Sequence, residues 1–158
     1  MPLLTLASHN LLDHGALGGN SDTPVAFANA EALNKAVLAA MASDTDRTVL
    51  FPAGHSFYMM PSFFENLYNI TFQIEGEVKL SEDYESWPHD DGKSCLDFWH
   101  IVDSQYINFV GNGVVDGQGY WWWRREYTLQ NIFHRPHILK IQRSEHAYFT
   151  GIKWMNSP

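Results

Sequence analysis

The sequence predicts an all-β fold, a parallel β-helix whose open end is covered by an N-terminal α-helix. Three observations carry the prediction. First, three segments align on one pattern: "NITFQIEGEVKL" from Asn69, "YINFVGNGVVDG" from Tyr106 and "HAYFTGIKWMN" from His146. Their period is roughly 37 to 40 residues, inside the range of stacked repeat architectures. Second, clear helical periodicity occurs once, before these repeats. Third, the remainder is short β-branched or aromatic runs broken by Gly, Asn and Asp, which reads as strands and corners.

Taken in chain order, "DHGALGGNSDTP" (13–24) is turn-rich and reads as a loop. "NAEALNKAVLAAMA" (29–42) reads as the helix, with Asn29 as its N-cap and Glu31 in its first turn. Leu33, Ala36, Val37 and Ala40 fall at helical spacing and form a core-facing stripe. "RTVLFPAGHSFYM" (47–59) reads as strand, turn, strand. After it no further helix is expected.

In the repeats Ile70, Ile107 and Ala147 align, as do Phe72, Phe109 and Phe149. Each repeat is too short to bury its own apolar face, so neighbours must stack and equivalent side chains must form ladders. Propeller blades have a similar period but consist of antiparallel hairpins, and only Gly111 to Gly113 resembles a hairpin turn. The stacked reading is preferred, with the glycines at corners. Three consecutive tryptophans, Trp121 to Trp123, follow on a connection leaving the second repeat.

Composition bounds the function. The chain has 158 residues, 45% hydrophobic and 18% charged, which is globular and suits one domain or a piece of one. A formal net charge of −8 argues against nucleic acid as a partner, because phosphate binding needs clustered Lys and Arg. The single cysteine, Cys95, excludes an intrachain disulfide and reads as a buried small hydrophobe. No apolar run approaches the roughly 20 residues of a membrane span, and the opening "MPLLTLASHN" has a short apolar patch but no basic n-region, so no secretory signal is visible.

Several stretches, in order, resemble the polygalacturonase-type glycoside hydrolases, glycoside hydrolase family 28, whose fold is the right-handed parallel β-helix of the pectin lyase kind. "DHGALGG" is similar to the family's opening turn, "NAEALNKAV" to its capping helix and "TVLFPAG" to its first strand and turn. "NITFQIEGEVKLSEDYESWP", "GNGVVDGQGYWWW" and "RPHILKIQRSEHAYFTGIKWMNSP" resemble its next coils. Together they span nearly the whole chain. The first loop, "GGNSDTPVAFANAEAL", is longer and rearranged relative to the family.

The resemblance implies an extracellular hydrolase of α-1,4-linked galacturonate in pectin. It would work by inversion, without cofactor or metal, as a monomer when full length. Inverting hydrolysis needs two carboxyl groups roughly 6.5–9.5 Å apart with a water between them. Stacked rungs lie about 4.8 Å apart, so one or two rungs give that separation. The family's catalytic Asn-x-Asp, Asp-Asp, Gly-His-Gly and Arg-x-Lys motifs are absent from this chain. His89-Asp90-Asp91 contains an Asp pair in the loop after Trp87-Pro88, but it is not assigned to catalysis. The expectation is therefore the N-terminal part of one β-helix domain. Residues 1–46 would be leader loop and capping helix, and residues 47–158 the first coils. Expressed alone, it would be inactive and poorly soluble.

Substrate-binding candidates are Trp122 and Trp123, which offer aromatic faces to sugar rings, Arg135, which offers a forked donor to a carboxylate, and Asn156. Asn156 also reads as the cap of an asparagine ladder. No residue is assigned as catalytic or as a metal ligand. His134 and His137 flank Arg135-Pro136, whose proline imposes extended chain rather than a metal-binding helix. Asp116 reads as a turn former. Two readings remain beside the hydrolase: a non-catalytic polysaccharide-binding β-helix, and a calcium-dependent lyase on the same fold.

Overall fold

Phe72, Phe109 and Phe149 stack in the computed structural model of the chain, which describes residues 8–90, 94–130 and 134–158. Their ring centroids lie 5.0 and 5.2 Å apart with planes 11° and 5° from parallel. Register explains the ladder: Ile70 pairs with Ile107 and Ile107 with Ala147, while Phe72 pairs with Phe109 and Phe109 with Phe149. The sequence alignment of the three repeats is thus the register of one parallel sheet.

The elements are β1 (His9–Asn10), a 3-10 turn (Leu11–His14), α1 (Thr23–Ala42), β2 (Thr48–Phe51), β3 (Ser56–Met59), β4 (Ser62–Glu65), β5 (Tyr68–Ile74) and β6 (Glu77–Leu80). There follow β7 (His89–Asp90), β8 (Ser94–Cys95), β9 (Trp99–Val102), β10 (Gln105–Val110), β11 (Val114–Asp116), α2 (Tyr120–Tyr127), β12 (Leu139–Gln142), β13 (Glu145–Thr150) and β14 (Lys153–Met155). Sheet A runs β1-β2-β5-β10-β13, sheet B β3-β6-β11-β14 and sheet C β4-β9-β12, and every pairing within them is parallel. The chain visits A, B and C in turn, which is a right-handed parallel β-helix. β7 and β8 form a small antiparallel pair in the long connection between sheets B and C.

Each strand alternates inward and outward. The inward residues, among them Phe51, Phe57, Phe72, Val78, Trp99, Ile101, Phe109 and Val115, are fully buried or nearly so. α1 packs on the first strand of all three sheets. Leu33, Ala36, Val37 and Ala40 are buried there, as the stripe predicts.

The start of α1 corrects the sequence reading. The helix begins at Thr23, after Asp22, with Pro24 in its first turn, not at Asn29. Proline is tolerated there because its missing N–H has no intrahelical partner to lose. Asn29 lies inside the helix, fully buried, and its amide bonds Leu17 N and O and Tyr58 O. A side chain favoured at caps is used instead to pin the preceding loop to the helix. That loop is also not wholly irregular, since residues 11–14 make a 3-10 turn closed by Gly15 at φ 97°.

The second correction is α2, where no helix is expected from the sequence. Aromatic residues are indifferent helix formers. Trp122 is buried between Tyr84 (5.0 Å) and Trp87 (5.7 Å), and that packing decides the conformation. Neither α1 nor α2 is long and apolar enough to cross a membrane. Asp91 and most of the opening apolar patch lie outside the described residues.

Gly111 turns the chain from sheet A to sheet B at φ 129°, and a Cβ there would sit 2.1 Å from the carbonyl oxygen of Ile74. Gly54, at φ 79°, has open space around it. Gly111→Ala is therefore expected to destabilise by at least about 2 kcal/mol, since strain and collision add. Gly54→Ala is expected to lose only the left-handed penalty of about 1–2 kcal/mol. Denaturant midpoints of the two variants check this, and equal losses would refute the close-approach argument.

Candidate functional site

The outer face of sheet C forms the floor of a groove. Phe63, His100 and Lys140 are register partners on β4, β9 and β12, so they stand side by side on consecutive rungs. They face out because Ser62, Phe64, Trp99 and Ile101 face in. Phe63 is 55% exposed and meets the His100 ring edge-on at 5.3 Å. His100 Nε2 lies 2.8 Å from Gln142 Oε1, which fixes the ring across the next rung.

The wall comes from the segments that precede β9 and β12. Ser94 bridges to His134 in parallel, the Cys95 amide donates to His134 O, and the Phe98 amide donates to His137 O. Residues 94–97 and 134–137 therefore stack as rungs do. Asp90, Cys95 and Asp97 from the first segment and His134, Arg135 and His137 from the second enclose a cavity of about 350 Å³ above the floor.

Asp97 holds the wall together. It accepts from the His137 amide (2.9 Å), His137 Nδ1 (2.8 Å) and Lys140 Nζ (3.2 Å). Burial pushes its carboxyl up, but the His137 amide and ring and the Lys140 ammonium outweigh that and hold it below the ordinary carboxylate range. Cys95 is buried beside it, and burial followed by the charge of Asp90 pushes its thiol up to about 12. A thiol held that high is protonated and inert as a nucleophile. Arg135 forms no ion pair among the described residues, so its guanidinium is available to a ligand.

Of the four substrate-binding candidates from sequence, Arg135 alone lies in this groove, beside Asp90, Cys95, His134 and His137, which the sequence did not assign to substrate. Trp122 is buried and offers no face. Trp123 and Asn156 meet elsewhere, in a smaller hollow beside sheet B. Asn156 donates to Asp116 Oδ1 of the preceding rung at 2.9 Å, so its ladder partner is an aspartate rather than an asparagine. Asp116 accepts the Gln118 amide at 2.9 Å, the turn expected of it. Asp103 is taken up by a two-pronged pair with Arg143, both contacts 2.7 Å. Phe63, His100 and Lys140 were not picked out as site residues from the sequence. Among the described residues no His, Cys, Asp or Glu cluster has the arrangement of a metal site.

The arrangement suits a sugar acid. An exposed aromatic ring on the floor offers an apolar face to a pyranose, and Arg135 and Lys140 offer charge-assisted donors to a carboxylate.

No family model matches the chain. A polygalacturonase of Chamaecyparis obtusa is 30% identical over 158 aligned residues, covering 94% of this chain and 28% of that protein. Exopolygalacturonase A of Aspergillus niger is 27% identical over 70% of this chain and 26% of its own length. The chain thus spans little more than a quarter of these curated relatives. Among solved structures, an exopolygalacturonase from Thermotoga maritima superposes with a TM-score of 0.65 at 20% identity, over 94% of this chain and 41% of that one. A polygalacturonase from Erwinia carotovora superposes at 0.62 and 19% identity, over 90% and 42%.

Proposed function

We propose, from the chain's relation to the polygalacturonases, that residues 1–158 form the N-terminal portion of the β-helix domain of a secreted, pectin-degrading glycoside hydrolase that inverts the anomeric centre. In that role the chain supplies the capping helix, the first rungs and one end of a groove for galacturonate units. The carboxyl groups that cleave the bond belong to later rungs of the whole protein. The reaction needs two carboxyl groups and a water, and no cofactor.

The observation that carries this reading is the groove's donor set. Arg135 and Lys140 converge over an exposed aromatic floor, with His100, His134 and His137 around them. Asp90 and Asp97 balance the formal charges of Arg135 and Lys140, and Asp97 is itself committed to His137 and Lys140. A galacturonate unit would place its carboxylate toward Arg135 and an apolar ring face on Phe63.

Calorimetric titration of trigalacturonate into the natural polypeptide that carries these residues tests the reading. Arg135→Ala and Lys140→Ala are each expected to weaken binding about tenfold or more, the worth of one charge-assisted hydrogen bond. The difference should shrink as salt is raised. Unchanged affinity in both variants would remove the groove from the substrate path.

A further inference from the structure

We propose that Asn69 is a site of N-linked glycosylation, modified while the chain is being made and before sheet A closes over the sequence that marks it. The proposal rests on the secreted reading above. Of the chain's asparagines, Asn69 alone is followed by a residue other than proline and then by Ser or Thr, in Asn69-Ile70-Thr71.

Asn69 stands at the start of β5, just past the sharp corner from sheet C to sheet A. Its backbone is left-handed, at φ 53°, as it is at Tyr106 (55°) and His146 (57°). Those two residues precede Ile107 and Ala147, the register partners in line with Ile70, so all three mark one corner of successive rungs. Asparagine adopts that conformation more readily than most residues. The side chain faces water: Asn69 is exposed although β2 and β10 flank its strand on both sides. Its carboxamide makes no hydrogen bond among the described residues, whereas those of Asn29, Asn108 and Asn156 are bonded. Tyr68 beside it is 57% exposed and meets Tyr106 edge-on at 5.7 Å. An oligosaccharide at Asn69 covers this aromatic stretch and adds hydroxyl groups to it. Residues 66–71 line no part of the groove on sheet C.

The folded chain hides the rest of the signal, and that sets the order of events. Ile70 is fully buried. Thr71 is half-buried, its amide donates to Arg47 O at 2.9 Å, and its hydroxyl accepts from Asn108 Nδ2 at 3.4 Å. A transferase that reads the Thr71 hydroxyl has to act before β10 docks. Asn108 lies 37 residues downstream, so in a chain made from its N-terminus Asn69 and Thr71 are free before that partner exists. The donor is an oligosaccharide activated as a lipid-linked pyrophosphate. Asn69 Nδ2 attacks its anomeric carbon. The new N–C bond forms as the C–O bond to pyrophosphate breaks, the lipid pyrophosphate leaves with the electron pair, and the amide nitrogen gives up one proton. Nothing is oxidised or reduced.

The test is peptide mass spectrometry on the natural polypeptide recovered from the medium of the cells that make it, before and after enzymatic release of N-linked oligosaccharide in heavy-oxygen water. The peptide carrying Asn69 is expected to bear an oligosaccharide and to yield a labelled aspartate on release. Asn66 is the control: it is exposed and left-handed (φ 56°) at the same corner but is followed by Leu67-Tyr68, and it should stay unmodified. Asn69→Asp and Thr71→Ala should each lose the mass of one oligosaccharide, and Thr71→Ser should keep it. If Thr71→Ala does not fold, Asn69→Asp carries the same expectation at an exposed position whose φ aspartate also adopts. Polypeptide in the medium with Asn69 unmodified overturns the proposal and leaves the secreted reading standing. So does an oligosaccharide that persists in Asn69→Asp. Unmodified polypeptide found only inside the cells overturns both.

Discussion

Trp99→Ala is expected to destabilise the protein by about 3–5 kcal/mol, the cost of emptying a large aromatic site that cannot collapse. Trp99 is 1% exposed on β9 and its ring meets Phe51 (5.7 Å), Phe72 (6.0 Å), Phe98 (5.1 Å), Phe109 (5.9 Å) and Trp154 (6.3 Å). Apart from Phe98, which precedes β9, these neighbours come from sheets A and B and from successive rungs, so one side chain of sheet C ties the stack both around and along its axis. In a stacked fold each rung is stabilised mainly by the next, and losing this contact weakens several interfaces together. Most folded domains have only about 5–15 kcal/mol to lose. The indole N–H of Trp99 has no acceptor among the described residues, so Trp99→Phe removes a buried donor without one while keeping a ring. That variant should lie within about 1.5 kcal/mol of the parent. Denaturant unfolding of both variants decides the matter: equal losses would mean that the polar atom, not the packing, is what counts. Because His100 follows Trp99 and faces the groove, the Ala variant should also bind trigalacturonate poorly at temperatures where it remains folded.

The ladders were legible because a parallel register copies sequence spacing directly into space. Phe72, Phe109 and Phe149 sit 37 and 40 residues apart and stack as that spacing says. The groove floor obeys the same spacing, from Phe63 to His100 to Lys140, yet it was not legible. Its three residues are an aromatic, an imidazole and an amine. An outward ladder has no common hydrophobicity to mark it, because water does not require its members to match. Aligning "SFFE", "WHIV" and "LKIQ" on the inward pattern would have found it. α2 was missed for a different reason. Its helix exists to bury Trp122 against Tyr84 and Trp87, a tertiary demand that local propensity does not carry. The same demand separates the tryptophans into one buried anchor and two exposed faces, which no local rule assigns.

Asp97→Ala is expected to cost about 2–4 kcal/mol, and Asp97→Asn less, because the carboxylate adds side-chain bonds to the backbone bonds that join the wall segment before β9 to the segment before β12. Its side chain is 11% exposed and receives the His137 amide, the His137 ring and Lys140. Hydrogen bonds to a charged group are worth about 1.5–3 kcal/mol each but are not additive when they share an acceptor. Asn keeps an oxygen for the His137 amide and gives up the charge. The pH dependence follows from the direction of the shift. The folded carboxyl lies below its ordinary value, so its stabilising effect is fully present above the unfolded pKa of about 3.9 and is lost as pH falls through the lower folded value. The parent and Asp97→Asn should therefore differ in stability at neutral pH and converge below about pH 4. Binding should move the other way. Asp97→Asn frees the Lys140 charge and removes a negative neighbour, so trigalacturonate should bind about threefold to tenfold tighter at low ionic strength, with the gain fading in salt. A variant that is less stable yet binds the polyanion better would separate the two roles of Asp97, as the pin of the wall and the counterweight to the groove's positive charge. Weaker binding despite an intact fold would mean that the orientation of Lys140 and His137, rather than the net charge, governs the site.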